Sequence, residues 1–152
     1  MIKLSDLLFG ISIKSVVGDI TSVMVNKIEF DSRKVSDLDL FIAINGVTVD
    51  GHSFIDYSIE KGAKSIIVEE IPEKINEDIC YIQVDSPSSS MSVVASNYYD
   101  NPSSKIKLVG VTGTNGKTTI VTLLHQIFLD LGYPTGMLST IENKIGKKSV
   151  KS

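Results

Sequence analysis

The stretch VGVTGTNGKTTIV, residues 109 to 121, constrains the fold of this 152-residue chain more than any other. It joins an apolar run to glycines at 110, 113 and 116 and to a lysine followed directly by two threonines, Thr118 and Thr119. Phosphate oxygens are held by a concave array of backbone N–H groups at the positive end of a helix, and only a glycine-rich turn presents such an array without side-chain clashes. The segment KIKLVGVT, residues 105 to 112, therefore reads as a strand running into the loop. Residues 117 to 131 read as the following helix, with Ile120, Leu123, Leu124, Ile127, Phe128 and Leu131 on its buried face and with Gly132 and Pro134 closing it. TGMLST, residues 135 to 140, reads as the next strand, which makes one βαβ unit. In that frame Gly113, Thr114, Asn115 and Gly116 supply the cradle. Lys117 reaches the β and γ phosphates, and the Thr118 hydroxyl joins a Mg²⁺ shell.

The usual phosphate-loop pattern, G-x-x-x-x-G-K-[ST], places a glycine where this chain has Val111. The spacing here is G-x-x-G-x-x-G-K-T. A glycine turn that binds nothing is the plain alternative, and the strand before and amphipathic helix after argue against it. Nucleotide binding alone does not separate a kinase, a switch, a motor or a ligase.

Composition narrows the partners. The net charge of -3 conceals an acidic part, residues 1 to 100, with 8 Lys and Arg against 16 Asp and Glu, and a basic part, residues 101 to 152, with 7 against 2. The acidic part argues against nucleic acid, and no aromatic residues alternate with the later lysines as stacking platforms. No stretch is long and apolar enough to span a bilayer, and MIKLSDLLFG lacks the features of a secretory signal, so a cytoplasmic location is expected. The single cysteine, Cys80, lies in the apolar segment DICYIQV and reads as a buried structural thiol.

Residues 1 to 100 alternate strand and helix signals. SDLL suggests a short helix begun by Ser5. KIEF (27 to 30), DLFIAI (39 to 44), SIIVEE (65 to 70) and ICYIQV (79 to 84) have strand character. SFIDYSIEKGA between them reads as a helix with Ser53 as N-cap and Gly62 at its C-terminal stop. Ser86-Pro87 opens another helix, broken at Asp100-Asn101-Pro102. This order predicts an α/β fold with a partly parallel sheet over residues 1–100, and the start of a second domain over 101–152. His52 reads as a turn or cap residue. His125 has no partner at metal-ligand spacing.

TGTNGKTT resembles the ATP-binding loop of the Mur ligase superfamily, whose loop has the same glycine spacing. Residues 30 to 63, FDSRKVSDLDLFIAINGVTVDGHSFIDYSIEKGA, are similar to the uridine-nucleotide-binding N-terminal domain of the MurE type, the UDP-N-acetylmuramoyl-tripeptide synthetases. The likeness extends to MIKLSDLL and so covers essentially the whole chain. It implies a small Rossmann-like mixed-sheet domain followed by the first βαβ unit of a P-loop ATPase domain. It also implies ATP and Mg²⁺ as cofactors, and UDP-N-acetylmuramoyl-L-Ala-D-Glu and an amino-acid acceptor as substrates.

By position, the resemblance puts substrate contacts on Phe30, Ser32, Val47, Thr48 and Val49. ATP contacts fall on Gly113, Thr114, Asn115, Gly116, Lys117, Thr118 and Thr119, with Thr118 at the metal. Ser32 and Thr48 can hydrogen-bond a uracil or ribose, and Arg33 can serve a pyrophosphate or an internal acid. The same residues also read as a strand-end turn (DSR) and as the start of a helix capped by Asp50 and Ser53 (DGH). Tyr98 and Tyr99 read as packing residues of the linker helix. The sister type that adds D-Ala-D-Ala, and a non-enzymatic nucleotide-binding module, are the competing readings.

The resemblance further implies that the second metal-binding carboxylate, a carbamylated lysine and the acceptor-recognising domain lie beyond Ser152, so this chain alone is expected to be inactive. With one βαβ unit, residues 101 to 152 are expected to be loosely held, to rest on the first domain, or to be shielded by another copy.

Overall fold

A computed structural model of the chain describes residues 1–46 and 49–151. Two compact units divide at Ile106/Lys107. The first runs six residues past the Asp100 break because the 3-10 turn Pro102–Lys105 stays with it. Asp100 and Asn101, both left-handed with φ of 58° and 50°, make the break itself. Asp and Asn are the side chains that tolerate this conformation best, and the proline that follows disfavours a further helical residue.

In the first unit β1 (Ile2–Lys3) leads into α1 (Leu4–Leu7), then β2 (Ile13–Val17), β3 (Met24–Val25), β4 (Ile28–Glu29) and β5 (Leu40–Ile42). α2 (Ile55–Glu60), β6 (Ser65–Val68), β7 (Cys80–Val84) and α3 (Pro87–Tyr98) follow. The main sheet has the order β2-β7-β6-β5-β4, with β4 through β7 parallel and β2 antiparallel at the edge; β1 and β3 form a separate antiparallel pair. The fold class expected from the sequence is the one observed. β5 and β6 are buried at every position, as the central strands of a parallel sheet covered on both faces must be.

Side chains alternate between two cores. Leu40, Ile42, Ile67, Cys80 and Ile82 point toward Leu4, Leu7 of α1 and Val94 of α3, whereas Phe41, Ile66, Val68 and Tyr81 point toward Val35, Ile55 and Ala63. α3 starts on Ser86, whose hydroxyl accepts the Ser89 amide at 3.2 Å. It is pinned by Asn97, which donates to the carbonyls of Leu7 and Phe9, and by the Tyr98 hydroxyl, which donates to Asn26 O at 2.8 Å. Tyr98 thus packs the helix, while Tyr99 stays exposed.

Two helix starts differ from expectation. α1 begins after Lys3 rather than at Ser5, since Leu4 N–H already bonds Val23 O. α2 is preceded by a 3-10 turn, Gly51–Phe54, capped by Asp50 in place of Ser53. At its end Gly62 has φ +109°, and a Cβ there would sit 2.7 Å from Asp37 Cα. Only glycine fits that stop.

Burial drives the Cys80 thiol up to about 11, with the Asp19 carboxylate adding to the shift. The thiol is therefore expected to resist a disulfide reagent at pH 8 until the chain unfolds, and labelling at the rate of a free peptide thiol in native buffer would contradict its placement. Its folded pKa lies above the ordinary thiol value of 9.0, so the folded state holds the extra proton between about 9 and 11, and this contribution to stability is lost as pH rises through that window.

The second unit contains α4 (Lys117–Asp130) and an antiparallel meander of β8 (Gly136–Leu138), β9 (Glu142–Ile145) and β10 (Lys148–Lys151). Two expectations fail here. Residues 105 to 112 carry no strand, because among the described residues none pairs with them, and a strand exists only through its ladder. The apolar stripe of α4 is also open: Ile120, Leu123, Ile127, Phe128 and Leu131 are exposed. The helix face turned inward carries His125, which is buried with no partner for Nε2 among the described residues.

Candidate functional site

In the second unit the chain enters α4 through two glycines that need their residue type. Gly113 has φ +147° and Gly116 has φ +79°, both conformations that L side chains rarely adopt. At Gly116 a Cβ would meet no atom within 4 Å, so the backbone here borders open space that a ligand can enter. As N-cap, Gly116 offers no side-chain oxygen to the first-turn amides, and the first helical bond is Ile120 N–H to Gly116 O at 2.9 Å. The amides at 117 to 119 are thus available to an anion at the positive end of a 14-residue helix.

The Lys117 ammonium folds over this loop and donates to the carbonyl oxygens of Gly113 and Thr114. Those contacts put the cation directly above the cradle. Thr118 is half-buried one residue on, and its carbonyl accepts the Thr122 hydroxyl at 2.7 Å. The loop's donors and single cation fit a triphosphate. For a divalent cation the loop offers the Thr118 hydroxyl, and no group of three His, Cys, Asp or Glu converges among the described residues.

In the first unit the described members of the expected uridine contacts, Phe30, Ser32 and Val49, follow the carboxyl ends of β4 and β5, where open α/β sheets form ligand crevices. Phe30 follows β4 and is exposed at 63%. Ser32 opens the 3-10 turn Ser32–Lys34 and is buried, its hydroxyl bonded to none of the described residues. Asp31 accepts from the Arg33 amide and is gripped in a fork by Arg33 Nε and Nη2, each at 2.8 Å. This hydrogen bonding holds the Asp31 carboxyl down at about 2. Arg33 therefore serves an internal acid, and its side chain stands 82% exposed.

After β5, Asn45 and Asp50 form a bridge, and Gly46 N–H donates to Val49 O at 3.0 Å. Val49 is exposed; Val47 and Thr48 lie outside the described residues. Sequence reasoning missed Lys27 and Asp39. Lys27 Nζ donates to Lys34 O at 2.9 Å, and the buried Asp39 accepts from the Ser36 amide and hydroxyl at 2.8 and 2.9 Å. Together they hold the turn that bears Ser32. A charged residue directly before an apolar strand, Asp39 ahead of LFI in SDLDLFIA, was the available signal.

Comparison with known proteins decides what this pair of sites belongs to. Residues 24–107 match the family described as "Mur ligase family, catalytic domain", and residues 111–152 match the "Mur ligase middle domain". The chain belongs to the Mur ligase family. Among its relatives, the UDP-N-acetylmuramoyl-L-alanyl-D-glutamate--2,6-diaminopimelate ligase of Cytophaga hutchinsonii is 52% identical over 151 residues, covering 99% of this chain and 31% of the relative. The ligase of the same name from Bacteroides fragilis is 41% identical over 148 residues, 97% of this chain and 30% of the relative.

A solved structure named for that same ligase aligns over 97% of this chain and 29% of its own, with a TM-score of 0.73 at 22% identity, a likeness of fold. MurF ligase from Thermotoga maritima, solved in complex with ADP, aligns over 72% of this chain and 25% of its own, at 29% identity and a TM-score of 0.55. This Mur ligase chain thus spans about a third of the length of the relatives it matches.

Proposed function

We propose that this Mur ligase segment carries the uridine-nucleotide site and the ATP phosphate loop of an ATP-dependent ligase. That ligase would join 2,6-diaminopimelate to UDP-N-acetylmuramoyl-L-alanyl-D-glutamate in peptidoglycan precursor synthesis. The observation that carries the reading is the 52% identity over 99% of the chain to a ligase of that name, with both motifs inside the aligned stretch. The D-Ala-D-Ala-adding type has structural relatives at 22 and 29% identity, below the 52% of the diaminopimelate-adding relative.

In the proposed reaction a carboxylate oxygen of the substrate attacks the γ-phosphorus of ATP, ADP leaves, and the acceptor amine displaces phosphate from the acyl phosphate to form the amide. The roles of Gly113, Thr114, Asn115, Gly116 and Thr119 are to aim backbone amides at the phosphates, and Lys117 neutralises charge as it develops. The Thr118 hydroxyl would ligate Mg²⁺, which supplies charge neutralisation when bound. Phe30, Ser32 and residues 47 to 49 would receive the uridine end. Among the described residues no helix is long and apolar enough to cross a membrane.

Titration of the chain with UDP-N-acetylmuramoyl-L-Ala-D-Glu is expected to show measurable binding that Ser32→Ala combined with Thr48→Tyr abolishes. Equal affinity in the double variant would remove the uridine assignment. Because the α4 stripe is open, we also propose that copies of the 152-residue chain associate through it. Sedimentation should then rise with concentration, and a coefficient that stays constant rules the association out.

A further inference from the structure

We propose that His52 is a positioning residue for the uridine-nucleotide site, fastening the Asn45–Asp50 bridge and the 3-10 turn that follows it to the end of β6. The inference rests on the uridine-site reading above. His52 lies in the 3-10 turn Gly51–Phe54, its side chain 20% exposed. Its Nε2 stands 3.1 Å from the Glu69 amide, which can only donate, so Nε2 must present a lone pair. The ring proton is then on Nδ1, which donates to Asp50 Oδ1 at 2.7 Å. Both ring nitrogens have a defined partner, one on the turn and one on the sheet.

Asp50 transmits this hold. The same Oδ1 accepts the His52 amide at 2.9 Å, and Asp50 is the residue bridged to Asn45. The His52 amide and ring together keep the Asp50 carboxyl below its usual range. On the sheet side, Glu69 O accepts from Gln83 Nε2 at 3.0 Å, and Gln83 Oε1 accepts the Ser15 hydroxyl at 2.8 Å. A hydrogen-bonded chain therefore runs from the edge strand β2 across β7 and β6 to the turn.

Gly51 leaves the turn no slack toward β5. Its N–H bonds Ile44 O at 2.9 Å, and a Cβ there would lie 2.6 Å from that oxygen. Without the His52 ring this turn would keep its backbone ties toward β5 and lose the side-chain link to the end of β6. Affinity for the uridine end should fall even where the fold survives.

The test uses the full 152-residue chain with UDP as probe. Long-range ¹⁵N–¹H spectra should show the Nδ1-protonated tautomer, and the Glu69 amide should exchange more slowly when UDP is bound. His52→Gln, which retains one donor and one acceptor, should bind UDP within about threefold of the wild type, and His52→Ala should bind about tenfold more weakly. Ile59→Ala, a destabilised control away from the turn, should keep its affinity.

Equal affinity in His52→Ala overturns the inference and leaves the uridine site standing. An Nε2-protonated ring also overturns it. If the wild type shows no binding of UDP or of the full UDP-muramoyl substrate, the uridine reading fails and this inference with it. Should His52→Ala not fold, the wild type decides: UDP binding that leaves the ring signals and Glu69 exchange unchanged overturns the inference.

Discussion

Lys117→Ala in a full-length ligase carrying this segment is expected to lower ATP turnover by about 10²–10³-fold, the scale for removing one preorganised charge-stabilising donor. The ammonium already lies over the loop, on the carbonyls of Gly113 and Thr114, so only a short swing separates it from a phosphate held by the amides of 117 to 119. Lys117→Arg is not expected to rescue turnover, because the planar guanidinium is larger and cannot act as a compact point charge beneath the β and γ phosphates. The measurement is ADP release under saturating substrates. Turnover in Lys117→Ala within threefold of the wild type would take the loop out of the mechanism.

Amide exchange on the dilute 152-residue chain is the second large effect. Amides of β5, β6 and β7 should exchange at least about 10³-fold more slowly than those of α4, since central strands open only with the whole domain while marginal elements open locally. The difference follows from burial. The first unit has two packed clusters around its sheet, whereas Met137 is the single buried hydrophobic residue among those described in the second. A 14-residue helix with its apolar stripe in water has little beyond its own ladder to hold it. Equal protection of α4 and β6 in the monomer would show that the second unit has a core of its own.

Much of this was legible in the chain. Val and Ile runs marked the central strands, Ser86-Pro87 marked a helix start, and Asp100-Asn101-Pro102 marked its end, each by a local preference that the fold did not need to override. The glycine loop before α4 was legible for the same reason, since Gly113 and Gly116 announce backbone conformations that other residues avoid. The edge strand β2 was not, because ISIKSVV carries a weak alternation that becomes a strand only when β7 offers its open side. The β9–β10 hairpin was hidden likewise in ENKIGKKSVK, a polar stretch with few β-branched residues.

Residue types at fixed spacing determined the parallel α/β core, the glycine turn that opens α4 and the family, because glycine conformations, helix stops and apolar runs are properties of a few neighbouring residues. Tertiary structure alone decided the rest. It sent Arg33 to Asp31, set Lys27 and Asp39 behind the Ser32 turn, and gave each nitrogen of His52 a partner, one of them seventeen residues away. It also left the α4 stripe bare and the segment before the loop without a ladder. Periodicity records which face of a helix is apolar and which segment can be a strand. Burial and pairing require a second element to be present, and no local pattern contains that element.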